Sequence, residues 1–287
     1  MRLLIMAGLF SGLFISCKEK GPAIDFSDVR ATDTVYTAPV EAAQPKIVLL
    51  EEFTGVTCPN CPQAHQAISG FQAQYPGRVV AVGYYAHGMA QTKPVEGLTI
   101  QDFRNDKATE LGNNFFGGVP FLPSGTIDRI PDNDQYLYQS NKWGGILTSR
   151  ISLSSPVNLY VTGSYDADEQ QATALVKMAF TADVNRQLSL TLLVVENDII
   201  DAQEYGLRID TFYNHAHVMR DIITPNAGMS VLDSIAVKPA GLVYERNFTF
   251  SVDPSWKPEN CQVVAFVSYN EPDNKEVVQA AEAPVAP

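Results

Sequence analysis

The spacing of hydrophobic residues changes near residue 153. The chain therefore divides into two regions, each with its own hydrophobic pattern, or texture. Before that point, the nearly continuous apolar run of residues 47–53 predicts a buried strand. Residues 62–75 carry apolar side chains three and four positions apart, which predicts a helix with one buried face. Residues 78–85 form a second apolar run. The order of strand, helix and strand predicts a parallel βαβ unit.

Helix and strand patterns continue to alternate up to the change of texture. Residues 99–111 predict a helix, residues 124–128 a third strand and residues 134–150 a closing helix. Together with the βαβ unit, these elements predict an α/β domain over residues 45–153.

The second texture consists of short runs that are rich in β-branched residues and separated by turn clusters. This pattern predicts an all-β antiparallel sandwich of the immunoglobulin-like kind over residues 154–280, with roughly seven strands. Residues 281–287 read as a loose tail. The runs are residues 157–164, 174–181, 188–196, 246–252 and 262–269.

The start of the chain is typical of an exported protein. Residues 1–16 hold one basic residue, a short apolar core and then small residues, which predicts an export signal. The end of that segment, Leu13-Phe-Ile-Ser-Cys17, resembles a bacterial lipobox, which implies that Cys17 is acylated and begins the mature protein; Lys18 after it implies an outer-membrane destination. An ordinary secretory signal is the alternative. Residues 17–44 are polar and turn-rich and predict a flexible tether.

Charge and the remaining hydropathy exclude several function classes. The formal net charge of −12 over 287 residues argues against nucleic acid and anionic membrane surfaces as partners, because both require a basic footprint. No later run is long enough for a helical membrane span, so we expect membrane attachment through lipid only. The sequence has no phosphate-binding loop, nucleophile elbow or zinc-protease helix, which leaves a hydrolase without support.

The candidate chemistry lies between the first predicted strand and helix, where Pro59 and Asn60 separate Cys58 from Cys61. Unpaired N–H groups at a helix start favour a thiolate, so we expect Cys58, near the surface, to attack and Cys61, facing inward, to resolve the mixed disulfide. Pro59 suits the first helical turn. An inert structural disulfide is the alternative, whereas zinc would require a second ligand pair that the sequence lacks.

Three motifs together resemble the thioredoxin-like fold: Glu52-Phe53 on the strand, the cysteine pair on the turn, and Gly118-Val-Pro120 some sixty residues later. The resemblance implies that Pro120 is cis and lies against the cysteines. It also implies that the backbone of Val119 receives an extended substrate. Glu52 takes the place of the buried acid that accepts the proton of the inner cysteine, and Glu51 competes for that role.

Longer stretches resemble a narrower group, the twenty-eight-kilodalton outer-membrane protein family of Bacteroidetes, which joins a thioredoxin-like domain to a β-rich domain. The stretches are residues 50–62, 116–120, 195–198 and 213–220. The resemblance implies the fold and an outer-membrane location. With the cysteine motif, we predict a lipid-anchored protein that exchanges thiols and disulfides with exported protein substrates, and we expect no cofactor or metal. A non-catalytic binding or structural lipoprotein that uses the same fold as a scaffold is the alternative.

Other residues with reactive side chains have plainer interpretations. Cys261 precedes an apolar run and is expected in the core, with exchange with the redox pair as the alternative. His65 is expected on a solvated helix face, with copper binding beside the thiols as the alternative. His215 and His217 are expected on the surface.

Overall fold

The computed structural model describes residues 30–286, and within that range the protein is mostly β-sheet. The export signal and Cys17 lie outside the described residues. The strands are β1 (Arg30–Thr37), β2 (Val48–Phe53), β3 (Val79–Tyr84), β4 (Ser124–Ile127), β5 (Val157–Asp166), β6 (Gln171–Phe180), β7 (Leu188–Glu196), β8 (Ile199–Tyr205), β9 (Arg208–His215), β10 (Val218–Ile222), β11 (Met229–Val231), β12 (Leu242–Ser251), β13 (Cys261–Tyr269) and β14 (Val277–Pro284). The α-helices are α1 (Cys61–Gln74), α2 (Asp106–Glu110) and α3 (Trp143–Ile151).

The predicted βαβ unit is confirmed. Strands β2 and β3 pair in parallel over six residues, and every residue of both strands is buried. Helix α1 covers one face of this pair through Ala64 and Ile68, and α3 joins the same cluster through Trp143. Strand β4 pairs with the other edge of β2 in the antiparallel direction. The strand that leads to the cysteine motif is therefore buried and paired along both of its edges.

One sheet runs through both textures of the sequence. Its order is β14-β13-β7-β10-β3-β2-β4, with β11 paired to β7. Strand β10 makes the junction: Val218 is the register partner of Gly83 in β3, and the Gly83 N–H donates to the carbonyl of His217 at 2.7 Å. The change in hydrophobic pattern at residue 153 therefore marks a change in the order of helices and strands, and the sheet itself continues past this point.

A second sheet, ordered β1-β12-β6-β5, packs over the strands β7, β13 and β14. The core between the layers contains buried side chains such as Met178, Leu190, Phe248 and Val263. Alternating inward residues from both layers fill this core, as the sequence pattern indicated. A separate pair of strands, β8 and β9, forms a hairpin.

Both predicted flexible ends contain regular structure. Residues 30–37 of the predicted tether form β1, which pairs with β12 along its whole length. The predicted tail continues β14 to Pro284, and Val285 is buried while its N–H donates to the carbonyl of Cys261. Each correction has the same reason: a polar or short segment becomes a strand when an unpaired sheet edge offers it backbone partners.

Two predicted helices are shorter in the structure. Helix α2 begins only at Asp106, because the side chain of Asn105 caps it by accepting from the N–H groups of Lys107 and Ala108. A single π-turn, Leu111–Phe115, follows α2. The closing helix starts at Trp143 rather than at residue 134. Among the helices of residues 30–286, none is long and apolar enough to cross a membrane.

Candidate functional site

Cys58 and Cys61 form a disulfide in the turn between β2 and α1. The turn is closed by backbone hydrogen bonds from Cys58 to Gly55 and from Cys61 to Cys58. Their Cα atoms lie 5.4 Å apart, within the usual range for a bridged pair. Helix α1 begins at Cys61, so the proline of its first turn is Pro62 and not Pro59 as expected. The strand-turn-helix placement of the pair is as predicted.

The disulfide is covered, contrary to the expectation that Cys58 lies near the surface. Cys58 is 1% exposed and Cys61 is fully buried. The cover is the β8–β9 hairpin, whose backbone donates from Glu204 to the carbonyl of Val56 and from Gly206 to the carbonyl of Pro59. No local pattern predicts this cover, because the hairpin lies some 145 residues further along the chain.

Gln203 is the central contact of that cover. Its side chain is fully buried, and its Nε2 donates to the carbonyl oxygens of Gly55 at 3.1 Å and Cys58 at 3.3 Å. From the other side, the loop around Gln91 approaches so closely that a Cβ on Gly55 would lie 2.2 Å from the Gln91 carbonyl oxygen. Only glycine fits at that position.

The expected cis-proline is a different residue. The Val119–Pro120 peptide is not cis, and Pro120 is exposed. The cis peptide lies between Leu122 and Pro123, directly before β4, whose Ser124 pairs with Phe53. The assignment of Pro120 was wrong because two X-Pro pairs occur within five residues, and the sequence alone does not distinguish them. Val119 is partly buried and packs in the core cluster that contains Phe53.

The structure distinguishes the two acids of β2. Glu51 forms an ion pair with the buried Arg129, with N–O distances of 2.7 and 2.9 Å, and accepts from the hydroxyl of Tyr84. Glu52 points to the other face, where no Lys or Arg among the described side chains pairs with it and the His65 ring lies 3.6 Å away. Burial raises the pKa of the Glu52 carboxyl well above its ordinary value. Glu52 is therefore the free buried acid, and Glu51 belongs to the scaffold.

His65 is not on a solvated face, as expected, but in a hydrogen-bonded chain. Its Nε2 lies 2.8 Å from the Thr54 hydroxyl and its Nδ1 lies 2.8 Å from the Tyr213 hydroxyl. Burial, assisted by the neighbouring histidines His215 and His217, lowers the pKa of His65 to about 3. His65 is four residues after Cys61, on the same side of α1, so it connects the cysteine face of the helix to Glu52.

The other two histidines of this region also differ from the expected surface positions. His215 is buried among the rings of Tyr85, Phe103 and Tyr213, and burial lowers its pKa to about 4. His217 is partly buried beside Gly83. Within residues 30–286, no three His, Cys, Asp or Glu side chains converge in a way that could hold a metal ion.

Cys261 is a buried core residue, as predicted. It is 1% exposed in the core between the two layers, and burial raises the pKa of its thiol to about 12. A thiol with so high a pKa is a weak nucleophile at neutral pH.

These features define a mostly β-sheet protein with a covered disulfide at a strand-to-helix turn. A model of the outer membrane protein Omp28 family matches residues 114–286. The chain belongs to the Omp28 family of outer membrane proteins. The matched residues begin after the cysteine motif, so membership rests on β4 and the β-rich part that follows.

One solved structure extends the likeness in fold to most of the chain. HBP35 of Porphyromonas gingivalis is similar with a TM-score of 0.61 and 19% identity, over 85% of this chain and 77% of that one. A protein of Agrobacterium tumefaciens gives a TM-score of 0.49 with 12% identity, over 85% of this chain and 96% of that one. At these identities the likeness to HBP35 concerns the fold alone. No curated protein matches the sequence.

Proposed function

We propose that the protein is a thiol–disulfide oxidoreductase of the outer membrane that acts on exported protein substrates. The observation that carries the proposal is the Cys58–Cys61 disulfide at the start of α1, in the turn that follows a fully buried interior strand. That strand lies between a parallel neighbour, β3, and an antiparallel one, β4, with α1 and α3 on one face. This arrangement supports a thioredoxin-like α/β unit joined to a β-rich unit.

The exchange consists of two displacements. A substrate thiolate attacks Sγ of Cys58, the Cys58–Cys61 bond breaks, and Cys61 leaves as a thiolate that takes up one proton. A second substrate thiolate then attacks the mixed disulfide and releases Cys58. The substrate loses two electrons and two protons, which the protein gains, and the reverse sequence reduces a substrate disulfide.

Glu52 is the proposed source and acceptor of the proton on Cys61. It stands on the strand that leads into the motif and touches His65, one helical turn after Cys61. Burial raises the pKa of the Glu52 carboxyl, which favours the protonated form that can give its proton to a leaving thiolate. The His65 ring, 3.6 Å from Glu52, is in turn hydrogen-bonded to the Tyr213 hydroxyl, and all three side chains line one cavity.

Turnover requires the hairpin to open, because Cys58 is 1% exposed in the closed form. The substrate must replace the contacts that Gln203, Glu204 and Gly206 make with the turn. A lid of this kind holds the bound substrate in the site and excludes water while it is closed.

The test compares three forms of the mature chain without its lipid: wild type, Cys58→Ser and Cys261→Ala. Reduction of insulin by dithiothreitol and oxidation of a reduced, unfolded protein measure the two directions. We expect wild type and Cys261→Ala to be active in at least one direction and Cys58→Ser to be inactive. Equal and negligible rates for wild type and Cys58→Ser in both assays would sink the proposal.

The tight cover of the disulfide favours a second candidate, a binding lipoprotein in which the cysteine pair is an inert bridge. A pulldown with wild type and with Cys58→Ser/Cys61→Ser separates the two. Capture of the same partner by both forms supports the scaffold. Loss of the partner with the serines, together with its release from wild type by reductant, supports exchange through a mixed disulfide.

Membrane attachment is proposed through lipid on Cys17. The sequence before it resembles a lipobox, and no described helix could span a membrane. Labelling of cells with a palmitate analogue tests the anchor. Wild type should carry the label and sediment with membranes, whereas Cys17→Ala should do neither; a labelled alanine variant would contradict the assignment.

A further inference from the structure

A cavity of about 230 Å³ lies apart from the disulfide, between α1, the strands β2 and β3, and the end of β9. No cysteine lines it. Its walls are aromatic and aliphatic, including Tyr85, Tyr213 and Ile68, and its polar groups include Glu52 and His217. An apolar cavity of about 150 Å³ accommodates benzene, so this one has room for a single substituted ring.

Two buried atoms in this cavity have no hydrogen-bond partner in the protein: Oε1 of Glu52 and Nδ1 of His217. Glu52 is 1% exposed, so its free oxygen can only be satisfied from the cavity side. Buried polar groups are nearly always paired, and an unpaired one in a cavity indicates an occupant. Ordered water is the simplest occupant, and a ligand is the other.

The protonation of His217 follows from its neighbour. The Nε2 of His217 lies 3.2 Å from Oε1 of Gln72, and the Nε2 of Gln72 donates to the carbonyl of Val79 at 3.4 Å, which fixes the orientation of the amide. The ring nitrogen that faces Gln72 therefore carries the hydrogen. Burial lowers the pKa of His217 to about 4, so at neutral pH its Nδ1 is an unprotonated acceptor.

Glu52 supplies the complementary group, a hydrogen-bond donor. Burial raises the pKa of its carboxyl well above the ordinary value, which favours the protonated form, and a protonated carboxyl can donate as well as accept. In their neutral forms Glu52 and His217 thus offer one donor and one acceptor and no net charge from this pair. A carboxylate or an ammonium ligand would lose its hydration there without gaining a counter-ion.

Gly83 forms the floor between these two groups. It is the register partner of Glu52 in the neighbouring strand, and its N–H donates to the carbonyl of His217. A Cβ at Gly83 would meet nothing closer than 3.4 Å, so a methyl group there would fit and would project into the cavity. The floor is open because this residue has no side chain.

We propose that this cavity binds a small, uncharged ring compound that carries a carboxamide or a cyclic amide. The carbonyl oxygen of the ligand accepts from the Glu52 carboxyl, and its N–H donates to Nδ1 of His217. Tyr85 and Tyr213 lie against the ring. The proposal does not depend on the redox activity of the cysteines.

The test uses benzamide, benzoate and benzylamine as probes on the mature chain, followed by the histidine ring resonances in NMR. We expect saturable binding of benzamide with a shift at His217, and binding of the two charged probes weaker by roughly tenfold or more. No saturable binding of benzamide would mean that the cavity holds only water and would overturn the proposal. Equal binding of all three probes would also overturn it.

Matched glycine variants locate the site. Gly83→Ala adds a methyl group to the cavity floor and should weaken benzamide by roughly tenfold or more. Gly145→Ala makes the same change in α3, where the added methyl meets nothing within 4 Å, and should leave binding unchanged. Equal affinities for the two variants would contradict the site.

A second variant keeps the test valid if Gly83→Ala does not fold. His217→Asn removes the acceptor nitrogen, and asparagine tolerates the positive φ of 57° at this position. It should weaken benzamide binding, whereas unchanged benzamide affinity would overturn the assignment of His217.

Discussion

The side-chain amide of Gln203 donates to the carbonyl oxygen of Cys58 at 3.3 Å, which ties the hairpin to the first cysteine of the disulfide. The same nitrogen donates to the Gly55 carbonyl at 3.1 Å, so one buried group connects two points of the motif turn. Access to the disulfide is therefore coupled to the stability of these contacts.

Gln203→Ala should accelerate reduction of the disulfide. Loss of buried hydrogen bonds worth about 1–3 kcal/mol would favour the open hairpin and raise the rate of reduction by dithiothreitol roughly 5- to 150-fold. The rate is measured by trapping free thiols with iodoacetamide. Gln66→Ala is the control, because Gln66 is exposed and its side chain hydrogen-bonds only to the hydroxyl of Tyr205, at the end of β8. Equal rates for the two variants would show that Gln203 does not hold the cover.

Arg129→Met should strongly destabilise the fold. Arg129 and Glu51 are both buried and form two hydrogen bonds, so the variant leaves a carboxylate without its partner. The expected loss in free energy of unfolding is about 3–5 kcal/mol, measured by urea titration. The double variant Glu51→Met/Arg129→Met should recover most of it, since no unpaired charge is left. A double variant as unstable as the single one would contradict this account.

The stability of the protein should fall in mild acid, in part through His215. Burial lowers its pKa from 6.5 to about 4, so below pH 6.5 the unfolded chain binds a proton that the folded protein does not. This contribution is complete above pH 6.5 and is lost as the pH falls towards 4, amounting to about 3 kcal/mol. His215→Phe should flatten the curve of unfolding free energy in that range. A curve as steep as that of wild type would contradict the assignment.

The sequence was most informative where structure is local. The apolar run before Cys58 and the spacing of Ala64 and Ile68 predict β2 and α1 because each pattern depends only on its own element. The position of the cysteine pair follows directly from them. A buried Cys261 was predicted for the same reason, from the apolar run that follows it.

The parts that were not predicted depend on partners distant in sequence. Strand β1 exists because β12 offers it an edge. His65, His215 and His217 lie in one region of the fold because β10 pairs with β3. That pairing is a single register contact between Val218 and Gly83, which no local pattern encodes. The cover of the disulfide depends on Gln203 in the same way. Long-range strand pairing decides each of these features.

Glu52→Gln tests whether the buried acid is neutral, on which both proposals depend. A folded-state pKa raised above 4.5 means that the contribution of Glu52 to stability is fully present below pH 4.5 and is lost as the pH rises. Glutamine has the same shape and does not ionise. The variant should therefore match wild type near pH 4.5 and become increasingly more stable than wild type as the pH rises above that value, in urea titrations at several pH values.

Glu259→Gln, at an exposed position, removes the same charge and should give a curve parallel to that of wild type. If Glu52→Gln also ran parallel, Glu52 would ionise as readily in the folded protein as in the unfolded chain. It could then neither hold a proton for Cys61 nor donate to an amide in the cavity. Divergence of the two variants with rising pH is the result that both proposed roles require.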